Sequence, residues 1–90
     1  LALARALAAD TPVLVLHEPA TAVDSVTEAR IAREIRALRA GHTTIVVTTS
    51  PSLLAAADRI VVIDDGRVTD IAAHRELVAA SGRYRALVLA

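Results

Sequence analysis

Ninety residues are enough for one small domain at most. Ten acidic residues balance ten basic ones, every one of them arginine, so no net charge draws the chain to nucleic acid or an anionic membrane. With no cysteine, disulfides and thiolate metal sites are excluded, which fits a reducing compartment.

The apolar residues are Ala, Val, Leu and Ile, with one Tyr and no Phe, Trp or Met. Small side chains bury little area each, at about 25 cal/mol per Å², so such a core needs many neighbours. The uncharged run Thr43 to Ala57 contains Pro51 and is too short to span a bilayer. No signal-peptide pattern opens the chain, and it begins at Leu1 rather than Met, as a piece of a longer protein would.

Leu1 to Ala9, rich in Ala and Leu, reads as helix and is stopped by Asp10, Thr11 and Pro12. Val13 to Leu16 is a short continuous apolar run, as in a strand covered on both faces. It runs into His17 and Glu18, and Pro19 to Asp24 is a loop. Ser25 and Glu28 have capping-box spacing and open a helix. Ile31, Ile35 and Leu38 form its apolar stripe, the arginines from 30 to 39 form a solvated face, and Gly41 caps its end. "TTIVVT", residues 43–48, is a second buried strand. Pro51 suits the first turn of a short helix over Pro51 to Ala57. "RIVVID", residues 59–64, is a third strand, Asp65–Gly66 a hairpin turn and "RVTD" a fourth strand. His74 to Ala80 and Arg83 to Leu89 are helices on either side of Ser81–Gly82.

Strands alternating with helices imply a parallel α/β sheet with helices on both faces. Ligands of such sheets sit beyond the carboxyl ends of the strands. His17, Glu18, Thr48, Thr49 and Ser50 lie there and form the candidate site from topology alone. Glu18 is a carboxylate suited to activating water. His17 has no second His or Cys at ligand spacing, which argues against zinc.

The order and gaps of these motifs resemble the C-terminal part of an ATP-binding cassette (ABC) nucleotide-binding domain of the exporter type. The resemblance covers essentially all of residues 1–90 as one such segment. "LALARAL" resembles the helix after the family's signature motif. "VLVLHEP" resembles the Walker B strand, which usually ends in Asp-Glu, and "TAVD" resembles the D-loop. Thr49 falls in the switch-histidine position of the H-loop. "DDGRV" and "HRELV" resemble the C-terminal hairpin and the helix after it.

The resemblance implies a partial P-loop NTPase (RecA-like) parallel sheet with flanking helices and a C-terminal hairpin and helices. It implies ATP and Mg²⁺ as ligands, with Glu18 as catalytic base and His17, Asp24 and Thr49 at the nucleotide. His17 stands where the family has the Walker B aspartate, and an imidazole suits a hard, oxygen-seeking cation poorly. Thr49 lacks the imidazole of the switch position. The implied picture is the degenerate half of an asymmetric exporter. Its partners are a second nucleotide-binding domain and a transmembrane domain outside this sequence, which places it at the cytoplasmic face of the membrane. In the family the Walker A strand lies between the strands at 43–48 and 59–64, so the sheet is expected to have a gap there. Two other readings remain: a non-enzymatic α/β interaction domain and a soluble ABC-type ATPase.

Overall fold

The computed structural model describes residues 5, 7–21 and 23–89. Most of the helix expected over 1–9 lies outside them. Arg5, Leu7 and Ala8 are helical, and the Ala9 amide donates to the Arg5 carbonyl (3.2 Å).

Strand β1 (Val13–His17) runs parallel to β2 (Thr43–Val47), in register from Val13 opposite Thr43 to His17 opposite Val47. A parallel pair needs a crossover, and helix α1 (Ser25–Leu38) supplies it. Alternation along the strands then sorts the side chains. Leu14, Leu16 and Val46 turn inward and pack with Ala20, Ile31, Ala32, Ile35 and Leu53. Val13, Val15, Ile45 and Val47 turn outward and are half or more exposed. The continuous apolar run implied cover on both faces; among the described residues one face is covered.

Helix α1 starts as expected, capped by the aspartate just before it rather than by a Ser25–Glu28 capping box. Asp24 is the N-cap, extended at φ −74° and ψ 168°, and its Oδ1 accepts from the Thr27 amide (2.7 Å). Glu28 does not close a capping box with Ser25. Its Oε1 accepts from the Ser52 amide (3.3 Å), 24 residues further on. At the other end the C-cap is Arg39, and Gly41 follows at φ +82° where the chain reverses. Leu38, expected in the core, is 65% exposed, whereas Arg39, expected in solvent, is buried. The last turn lies over the amino ends of β1 and β2, where the backbone offers oxygen atoms rather than apolar surface.

Helix α2 (Pro51–Ala56) has Pro51 in its first turn and Ser50 as N-cap, with Ser50 Oγ accepting from the Leu53 amide (3.3 Å). Strands β3 (Ile60–Asp64) and β4 (Arg67–Ala72) form an antiparallel hairpin. Asp65 at φ 51° and Gly66 at φ 73° make its turn, as the Asp-Gly pair implied. Helices α3 (His74–Ala80) and α4 (Gly82–Val88) meet at Ser81, whose hydroxyl caps the second by accepting from the Tyr84 amide (3.1 Å). Leu54, Ile60, Val62, Leu77 and Tyr84 form a second core, in which the Tyr84 hydroxyl pairs with His74 Nδ1 (2.7 Å).

Among the described residues the strands form two separate two-stranded sheets, since β2 and β3 do not pair. A cleft of about 1590 Å³, bordered by Ile45, Val47, Val61, Ile63, Tyr84 and Val88, lies between them. Among the described residues no helix is long and apolar enough to cross a membrane.

Candidate functional site

The carboxyl ends of β1 and β2 carry the polar residues that the topology singled out. In-register pairing brings them together: His17 is opposite Val47, so Glu18 faces Thr48. The Glu18 amide extends the ladder by donating to the Val47 carbonyl (2.8 Å). Past that bond the chain turns sharply, with Glu18 at φ 47°, in the left-handed region that few non-glycine residues adopt. Thr21 holds the turn. Its hydroxyl and its amide both donate to the Glu18 carbonyl, at 3.0 and 3.4 Å. A strained residue over-determined in this way is a recurrent feature of functional sites.

The Glu18 carboxylate is half-buried, and Thr48 Oγ1 donates to its Oε2 (3.2 Å). The Ser50 amide donates in turn to Thr48 Oγ1 (3.0 Å). Glu18 Oε1 has no hydrogen-bond partner among the described residues and is the oxygen available to a ligand or to water. His17 and Thr49 are both exposed, one at the last residue of β1 and the other in the segment after β2. Neither makes a side-chain hydrogen bond among the described residues.

Asp24 lies at the far end of the 19–24 loop, of which Ala22 is outside the described residues. Its carboxylate is exposed and committed to the cap. The Thr27 amide, and then the Thr27 hydroxyl, hold it below the usual carboxylate range. Glu28, one turn further along α1, is bonded to the 50–52 segment. The Ser50 hydroxyl lowers its pKa most; partial burial opposes this, and the Ser52 amide and hydroxyl add to the lowering. Glu18, Thr48 and Ser50 therefore come together directly. Asp24 joins them only through its helix, and Glu28 is the link that sequence spacing had assigned to a local cap.

Magnesium is not well served by the residues present. Among the described residues no group of three or more His, Asp or Glu side chains converges to hold a metal. At the end of β1 the donors are one carboxylate, Glu18, already engaged by Thr48, and a nitrogen ligand, His17. An oxygen-seeking cation of strict octahedral habit does not fit that set.

No family model matches the chain. Curated relatives do. The chain is 45% identical over 87 residues to an ATP-dependent lipid A-core flippase of Cupriavidus pinatubonensis, covering 97% of this chain and 15% of the relative. It is 44% identical over 85 residues to the mycobactin import ATP-binding/permease protein IrtA of Mycolicibacterium thermoresistibile, covering 94% of this chain and 9% of the relative. Among solved structures, a bacterial Atm1-family ABC exporter with ATP bound superposes with a TM-score of 0.81 at 34% identity, over 96% of this chain and 15% of that one. In sequence and in fold, the chain is a segment of the ABC exporter type. It spans less than a sixth of the length of these relatives.

Proposed function

We propose that residues 1–90 are the C-terminal part of the nucleotide-binding domain of an ABC exporter, and that they build the degenerate half of an asymmetric ATPase pair. The observation that carries this reading is the end of β1. There Glu18 is set in a left-handed turn with one carboxylate oxygen held by Thr48, and the residue before it presents an exposed imidazole.

In this reading Glu18 Oε1 orients the attacking water and accepts its proton, while Oε2 stays anchored on Thr48. ATP is the ligand, and its adenine and most of its phosphate contacts come from parts of the protein outside this sequence. His17 supplies no oxygen to a cation, and Thr49 is too short to reach a phosphate as an imidazole could. The half-site therefore binds ATP and turns it over slowly. Asp24 lies at the seam with a second nucleotide-binding domain, which carries the intact site. The cleft between β2 and β3 takes a further strand of the same domain, whose ladder would satisfy the unpaired edges on both sides. A transmembrane domain of the same exporter holds the assembly at the cytoplasmic face of the membrane.

The test is His17→Asp combined with Thr49→His in the full-length exporter. Restoring one lost electrostatic contact is worth about 2–4 kcal/mol of barrier, so turnover at this site should rise by about 10²–10³. Fast hydrolysis at this site before any substitution would overturn the reading.

A further inference from the structure

We propose that Glu28 is a positioning residue that ties the segment carrying position 49 to the helix that begins after Asp24. Residues 48–50 join the end of β2 to the first turn of α2, and such a stretch has no secondary structure of its own to hold it. Here it is held at both ends. On one side Thr48 Oγ1 donates to Glu18 Oε2 (3.2 Å) and accepts from the Ser50 amide (3.0 Å). On the other, the Ser52 amide donates to Glu28 Oε1 (3.3 Å). Thr49, exposed, lies between these fixed points, so its direction is set by its neighbours rather than by contacts of its own.

The acceptor on α1 is well supported. Glu28 is half-buried, and Leu53, one residue beyond the bond, packs into the same core cluster as Ala32 and Ile35 of α1. The low pKa of Glu28, caused first by the Ser50 hydroxyl, keeps it an anion and an acceptor at neutral pH. A group four residues after the Asp24 cap thereby fixes the direction of position 49, and α1 and the 48–52 segment move as one body.

The consequence for turnover rests on the ATPase reading above; the consequence for local order does not. Glu28→Ala and Glu28→Gln are made in the full-length exporter, in the wild-type and the His17→Asp/Thr49→His backgrounds. Hydrogen exchange at the Ser52 and Leu53 amides should quicken about tenfold in Glu28→Ala and stay near wild type in Glu28→Gln, which keeps an acceptor oxygen. In the restored background Glu28→Ala should lower kcat about fivefold or more with KM for ATP within about twofold, and Gln should recover at least about half of the loss. Unaltered exchange at both amides in Glu28→Ala overturns the proposal. So does an equal fall of kcat and melting temperature in the Ala and Gln variants, since folding alone would then have been damaged. If the restored background gains no turnover, the ATPase reading is what fails, and exchange at Ser52 and Leu53 still decides for or against the tie.

Discussion

The Arg39 guanidinium is 5% exposed and meets four oxygen atoms, none of them a carboxylate. Its Nη1 donates to the Thr11 carbonyl (2.6 Å), Nη2 to the Thr43 carbonyl (3.0 Å) and, at 3.5 Å, to that of Pro12, and Nε to Thr44 Oγ1 (3.0 Å). The planar fork thereby clasps the amino ends of β1 and β2. Arg36, by contrast, pairs with Asp58 at 3.0 Å on side chains 59% and 86% exposed, where solvent leaves such a pair little value. Arg39→Met should lower stability, at about 1–3 kcal/mol for each buried group left without a partner. In the intact domain this reads as a lower denaturant midpoint with an unaltered slope. Arg39→Lys should recover part of the loss, because an ammonium keeps donors but not the fork. Asp24 has an observed role, the cap on Thr27, and the proposed one at the seam of a pair, and substitution separates the two. Asp24→Asn retains an oxygen that can cap Thr27 and removes the charge. Turnover of the assembled pair should fall while the melting temperature hardly moves. A lower melting temperature with unaltered turnover would leave only the cap.

Helix α1 depends on carboxylates at both points where its first turn is tied down. Asp24 holds the Thr27 amide and Glu28 holds the Ser52 amide, and both groups have pKa values below their ordinary range. The unfolded chain therefore binds more protons than the folded one in the window just below the ordinary carboxylate values. Their contribution is fully present above about pH 4.5 and is lost as the pH falls through about 4 toward the lower folded values. Acid titration followed by carboxyl carbon shifts should place both midpoints below the ordinary range. Helical signal should fall over the same interval, and Asp24→Asn should remove part of its pH dependence. The start of α1 was legible in the sequence because Asp24, Ser25 and Glu28 are all residues of helix beginnings. The Asp24 cap was legible as well, because an aspartate just before a helix can accept from its first amides; that Glu28 would close no capping box was not, since its side chain found a backbone amide in another element. The burial of Arg39 escaped for a similar reason. Periodicity marks Leu38 as apolar and Arg39 as polar, and only the strand ends beneath α1 show that the site needs donors.

Two half-sheets with a cleft between them make the whole molecule unlike an ordinary small domain. Val13, Val15, Ile45 and Val47 are exposed on the parallel pair, and Val61, Ile63, Val68 and Ile71 on the hairpin. Among the described residues β2 and β3 each have a ladder partner on one side only, which leaves an edge of each unpaired beside this apolar surface. The isolated ninety residues should therefore show no cooperative thermal transition and little amide protection in β2 and β3. The same residues within a complete nucleotide-binding domain should show both. A sharp transition with high protection in the isolated chain would mean that the two cores suffice without a strand in the cleft.

The sequence alone determined the order of elements, because each is a local matter: apolar runs for β1 to β3, Asp65–Gly66 for the hairpin, Pro51 after Ser50 for α2. It also determined that His17 and Glu18 end a strand and that Thr48 to Ser50 end its neighbour. Only the tertiary structure decided that β1 and β2 pair in a register that puts Thr48 on Glu18. The same holds for Glu28 reaching Ser52 across 24 residues and for Arg39 clasping two strand ends, whereas the gap between the strands at 43–48 and 59–64 was already implied by the family resemblance. Those outcomes depend on which groups meet in space, and neither spacing nor propensity in a single chain encodes the partner of a side chain so distant along it.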